Sequence, residues 1–259
     1  MPASVIYVGG GDCSSVGNAS FTVANAVPAG SLVVLTKISN TAQGTFTAVS
    51  DSRGNTYTSV TSTANSPSPV VAGKQFYSVL TTGLVAGDTI STTSNGFTRQ
   101  VVIIEAITGL LSSPFDTPDL AATGSSQNPA PGSTGTLAQS SELLYAVTGS
   151  NISSATPPSG WTTSAAAATS VGSNERYINS SFIQVSSTAS VTPSFTLSTS
   201  GSWAVILNKL KISTTVSTGP KIKVWNGSSW VDKTAGVKVW NGSAWVVKPV
   251  KAWNGSAWA

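Results

Sequence analysis

The chain has 259 residues, of which 8% are charged, with no histidine, one cysteine and one methionine. This composition excludes histidine-ligated metal sites, Ser-His-Asp triads and an intrachain disulfide framework. The net charge of +4 is uneven: residues 1–218 sum to −1, and residues 219–259, with six lysines and one aspartate, sum to +5.

Short runs of β-forming residues separated by turn signals predict a succession of strands. Residues 5–8 end at Gly9-Gly10-Gly11, and residues 20–23 lead to the turn Val27-Pro28-Ala29-Gly30. Residues 31–38 and 45–49 follow, then the turn Asp51-Ser52-Arg53-Gly54-Asn55. The series continues with 56–61, 74–80, 88–93 and 99–108. Residues 110–138, rich in Pro, Gly and Ser, are expected to form a long loop with at most one short strand. Strands resume at 142–148, 161–166, 176–185, 191–197 and 203–212. Residues 101–104 and 204–207 are continuously apolar and read as central core strands. No segment has a helical period. The expected fold is all-β: a jelly-roll-like antiparallel β-sandwich over residues 1–212, large enough to stand without disulfides. The start, Met1-Pro2-Ala3-Ser4-Val5, has no basic stretch before its apolar run, so no secretory signal is expected, and no apolar run reaches the length of a membrane span.

Residues 213–220 form a Ser/Thr linker. Residues 221–259 then repeat one unit three times, at 222–231, 237–246 and 250–259. Asn-Gly between β-formers favours a two-residue type I′ hairpin turn, so Asn226-Gly227, Asn241-Gly242 and Asn254-Gly255 are the expected turn residues of three tandem β-hairpins. In that register Trp225 pairs with Ser228 and Lys223 lies opposite Trp230. Lys223, Trp225, Ser228 and Trp230 then share one face, and Lys223 can lay its stem on the indole. Lys238 with Trp240 and Trp245, and Lys251 with Trp253 and Trp258, repeat the pattern. Six tryptophans carry roughly 900–1500 Å² of aromatic surface, more than a monomer ordinarily leaves exposed. The candidate covers are the chain's own sandwich, sister chains in a homotrimer, or glycan. Sister chains are favoured because a lone hairpin cannot bury two apolar faces.

The units KVWNGSSWV and KVWNGSAWV resemble the Trp-rich terminal repeats of minor tail proteins and virion surface proteins of actinobacterial phages. The stretches DSRGNTYTSV, VVIIEAITGL followed by SPFD, and SWAVILNKLKI are similar to a jelly-roll-like domain of phage virion and bacterial surface proteins. The resemblance implies a structural or adhesive virion component, on the tail rather than the capsid surface, made in the host cytoplasm. Its implied partners are itself and other virion proteins, with host cell-wall glycan as a further candidate. Choline-binding repeats are a weaker resemblance, since they have longer periods and accompanying tyrosines. A carbohydrate-binding module and a capsid-surface decoration protein are the alternatives.

No catalytic residue, metal site or cofactor is expected. Asp116 and Asp119, separated by Thr117-Pro118, read as a plain loop. Glu105, in an apolar strand, is expected to face outward or to pair with Arg99 or Arg176. Asp51–Asn55 lacks the carboxylates of a calcium loop, and Gly9-Gly10-Gly11-Asp12 lacks the following Lys-Ser/Thr of a phosphate loop. Cys13 reads as a small buried or surface thiol. Six lysines spread along the tail do not make a nucleic-acid stripe, and neither nucleic-acid binding nor membrane insertion is expected.

Overall fold

The computed structural model describes residues 3–14, 18–40, 46–60, 64–65, 70–94, 99–169, 175–213, 223–225, 228, 230–232, 237–240 and 242–248. The chain divides into two compact units, Pro2–Ser213 and Thr214–Ala259.

The larger unit is an antiparallel all-β sandwich. Its first half holds β1 (Ser4–Asp12), β2 (Asn18–Thr22), β3 (Leu32–Ser39), β4 (Phe46–Asp51), β5 (Thr58–Ser59), β6 (Ala64–Asn65), β7 (Ala72–Val79), β8 (Thr89–Ser94) and β9 (Gln100–Thr108). Its second half holds β10 (Leu110–Phe115), β11 (Leu120–Ser126), β12 (Glu142–Ser150), β13 (Thr162–Ala168), β14 (Tyr177–Val185) and β15 (Gly201–Ile212). One six-stranded sheet has the order β1-β9-β3-β7-β5, with β6 also on β7. The other has the order β10-β15-β12-β14-β13, with β11 also on β15. A three-stranded sheet is ordered β2-β8-β4.

The continuously apolar runs are explained by burial on both faces of each large sheet. In β9, Val101, Ile103 and Ile107 enter the core between the large sheets, where Leu143, Tyr145, Ile178 and Ile206 meet them. Val102, Ile104 and Ala106 point the other way, into a second core with Val33, Leu35 and Ile90. In β15, Ala204, Ile206 and Leu210 join the shared core. Val205 and Leu207 enter a third core with Phe195, Leu197 and Trp203. A strand of period two that meets apolar surroundings on both sides has no polar positions to alternate with.

The two halves repeat one arrangement. Replacing β1, β9, β3, β7 and β5 by β11, β15, β12, β14 and β13 turns one sheet order into the other. Contacts across the sandwich follow the same exchange for β9 and β15, whereas β11 meets β6 in place of β5. β1 touches β13 and β9 touches β14, while β11 touches β6 and β15 touches β7. Loop hydrogen bonds repeat as well. Val23 N–H donates to Asp88 O at 2.8 Å and Val27 N–H to Leu84 O at 2.8 Å; Thr134 N–H donates to Val191 O and Leu137 N–H to Thr188 O, both at 2.9 Å. The three-stranded sheet of the first half has a sparser counterpart in the second. There Leu197 and Phe195 donate to Gln127 and Pro129, and Thr196 bridges Thr156. The sandwich therefore repeats one strand order in its two halves, joined through the large sheets.

Several local expectations are corrected. β1 does not stop at the glycines but runs through Gly9–Gly11 to Asp12, with an irregularity between Tyr7 and Gly9. Gly10 has φ +143°, and a Cβ there would lie 2.3 Å from Val102 O, so only glycine lets this backbone reach β9. Within 110–138 there are two strands, β10 and β11, both on β15. Ser and Gly in β11 suit an outer position on Trp203, whose ring fills the place a Cβ on Gly124 would take, at 2.5 Å. Residues 191–197 form no named strand and contribute the single bridge at Thr196.

Candidate functional site

Among the described residues of the smaller unit are two antiparallel strand pairs: β16 (Lys223–Trp225) with β17 (Trp230–Asp232), and β18 (Val237–Trp240) with β19 (Trp245–Lys248). Their register corrects the two-residue turn. Trp225 lies opposite Trp230 and Trp240 opposite Trp245, so four residues separate the strand ends. Lys223 lies opposite Asp232, not Trp230, and Lys238 opposite Val247, not Trp245. In the second pair the physical reason is direct contact between the Trp240 and Trp245 rings. Opposed residues stand about 4.5–5.5 Å apart at Cβ, closer than the diagonal neighbours of the expected register. A four-residue connection also removes the demand for positive φ at both Asn and Gly. In the second pair Gly242 takes φ +100°.

Trp240 and Trp245 have ring centroids 5.8 Å apart and an interplanar angle of 59°. They keep 52% and 63% exposure, and Gly242, Ser243 and Ala244 between them are exposed. Of the remaining tail residues singled out, Asn226, Gly227, Asn241, Lys251, Trp253, Asn254, Gly255 and Trp258 lie outside the described residues, with the whole third repeat.

In the sandwich, Glu105 faces inward rather than outward. It is buried in the layer between the large sheets, and the Tyr145 hydroxyl donates to its Oε2 at 2.5 Å. Burial raises its pKa, and hydrogen bonds from Ser164, Tyr145 and Ser180 act in the opposite direction. Arg176 instead donates from Nε and Nη2 to the carbonyl of Val70, at 3.0 and 2.6 Å.

The Asp51–Asn55 turn is a clasp. Asp51 Oδ1 accepts from the backbone N–H groups of Arg53 and Asn55, and Oδ2 accepts from Asn55 Nδ2 and the Tyr57 hydroxyl. Buried Asn55 reaches on to Thr81 and Thr82, its Oδ1 accepting from both backbone N–H groups and from Thr81 Oγ1. Arg53 Nε pairs with Asp88 at 2.7 Å. The turn reading therefore accounts for all these oxygens.

Two lysines are buried in the sandwich, a feature that composition did not reveal. Lys37 donates to Ser94 Oγ and Gln100 Oε1, both at 3.1 Å. Burial lowers its pKa to about 8, while burial raises that of nearby Cys13 to about 11. Lys209 lies 3.7 Å from Asp116 Oδ2 and also approaches the carbonyl of Thr134 at 3.5 Å. Burial raises the pKa of both Asp119 and Glu142 beside this pair. The aspartates read as plain loop residues are thus drawn to a buried ammonium. The register of β10 on β15 puts Asp116 there, and nothing in the local sequence announces it.

Among the described residues no group of three or more Cys, Asp or Glu side chains is arranged to hold a metal ion. No helix there is long and apolar enough to cross a membrane. Comparison with protein-family models, curated proteins and solved structures returned no match.

Proposed function

We propose that the chain is a non-enzymatic structural component of a phage virion, a minor tail protein with an adhesive or assembly role. Its Trp-bearing repeats drive homotrimer formation or attach it to other virion proteins. The observation that supports this reading is the Trp240–Trp245 pair, side by side on a short hairpin yet more than half exposed. Two indoles held in that way offer a preformed apolar contact, and the sequence carries the motif three times. The phage setting rests on the resemblance of KVWNGSSWV and KVWNGSAWV to tail-protein repeats.

Sedimentation equilibrium tests the assembly role. The full chain is expected to run as a trimer, and a Trp240→Ser/Trp245→Ser variant as a smaller species. A monomeric full chain overturns the homotrimer. The same exposed indoles favour a second reading, in which they stack on sugar rings of host cell wall. Cell-wall pull-down with the double variant separates the two, because undiminished retention removes the pair from glycan binding.

A further inference from the structure

Lys209 and Asp116 are placed for more than an ion pair. Phe115 is opposite Leu210 in the β10–β15 ladder, and Asp116 N–H donates to Lys209 O at 2.8 Å. Asp116 therefore continues the register opposite Lys209, and opposed residues project to the same face. Their side chains are 12% and 4% exposed, so little water competes for either. The amide N–H of Ala138 donates to Asp116 Oδ2 at 3.0 Å and holds the carboxylate toward the amine. Glu142, on the neighbouring strand β12, lies diagonal to Lys209 in the β12–β15 register, where it faces Lys211 and Leu144 faces Lys209. Glu142 is fully buried. Its Oε1 accepts from Gln139 N–H at 3.0 Å, and its Oε2 has no hydrogen-bond partner among the described residues. Both Asp116 and Lys209 lie close enough for their charges to act on the Glu142 carboxyl.

We propose that Lys209 and Asp116 condense to an intramolecular isopeptide bond, with Glu142 carrying the protons. Burial favours the protonated form of Glu142, which gives its proton to a carboxylate oxygen of Asp116 and makes Cγ electrophilic. Lys209 Nζ returns a proton to Glu142, and its freed lone pair attacks Cγ. The Cγ–O bond breaks and the oxygen leaves as water. Two of the three ammonium protons depart with it, passed through Glu142, which ends as it began. An ammonium and a carboxylate become an amide and one water, with no oxidant or co-reactant. Two groups already held near attack distance in a shielded site gain the advantage of an intramolecular reaction. The product ties the segment after β10 covalently to β15.

Intact-mass spectrometry of the unfolded full-length protein tests this directly. The expected mass is one water below that of the sequence. Proteolysis is expected to yield a branched peptide joining Asp116 and Lys209, with no cleavage after Lys209. Lys209→Arg and Glu142→Gln are expected to show the full mass while keeping the wild-type circular dichroism. A folded wild-type chain of full mass overturns the proposal, as does a water loss mapped to another residue. A bond that forms undiminished in Glu142→Gln overturns the proton-carrying role. The outcome is independent of any role of the tail, since the three residues lie within the sandwich.

Discussion

Tyr145 of β12 donates its hydroxyl hydrogen to Glu105 of β9 across the layer between the two large sheets, at 2.5 Å. Both side chains are fully buried, and with Ser164 and Ser180, which also hydrogen-bond to Glu105, they form a small polar cluster joining the two halves inside the core.

The Glu105 carboxyl makes stability pH-dependent. Burial holds its pKa above the unfolded value, so the folded state keeps the proton to higher pH. Its contribution is complete below the unfolded value and is lost as pH rises through the folded one. Tyr7, opposite on β1, and Tyr145, Ser164 and Ser180 are the groups around it, and none carries a positive charge. Asp119 and Glu142 shift in the same direction, so the informative quantity is a difference between proteins. Urea unfolding from acidic to neutral pH is expected to show a smaller loss of stability in Glu105→Gln than in wild type. Equal pH dependence in the two proteins would refute the assignment.

Gly149 lies against Ile38 of the facing sheet, where an added Cβ would meet the isoleucine side chain at 2.4–2.8 Å. Gly149→Ala is expected to destabilise the sandwich by about 1–3 kcal/mol through overpacking. Adding Ile38→Val is expected to recover part of that loss, measured as a double-mutant cycle by chemical denaturation.

Asn55→Ala removes the clasp between the Asp51 turn and Thr81–Thr82. More than one partner loses its hydrogen bond, so a loss of about 2–3 kcal/mol is expected. Calorimetric melting provides the measurement, and an unchanged midpoint would show that water replaces the amide without cost.

Cys13 is buried and its thiol pKa is raised to about 11. The thiolate is the reactive form, so alkylation is expected to be slow in the folded protein and fast in denaturant. Mass spectrometry after timed iodoacetamide treatment reads the difference.

The Trp240–Trp245 contact is expected to contribute about 0.5–1.5 kcal/mol to its hairpin. Trp245→Val is expected to reduce the exciton-coupled circular dichroism of the tail. A spectrum identical to that of the wild type would show that the rings do not pair in solution.

Residues 101–104 and 204–207 announced two central strands because apolar side chains on both faces leave no other reading. The partners of those faces were not legible. Val23 and Asp88 occupy the places of Thr134 and Val191, so the doubling of the halves lives in backbone register rather than in residue identity. Glu105 looked like an outward residue because a lone acid rarely sits in a core, and its partner Tyr145 is forty residues away on another sheet. In the tail, Asn-Gly chemistry pointed to a two-residue turn, whereas opposed tryptophans stand two positions further out. A shift of two preserves the alternation of positions along each strand while changing which residues stand opposite one another. The pairing of Asp116 with Lys209 depends on strands that a Ser- and Pro-rich stretch did not advertise.

The exchange that maps one half of the sandwich onto the other has a consequence for how such a chain could have arisen. Each half exposes one large apolar sheet that only its counterpart covers. A gene encoding a single half would specify a protein whose sheet is self-complementary, obliged to associate with an identical molecule. Joining two such genes end to end converts that association into an intramolecular one. It frees equivalent positions of the two halves to diverge.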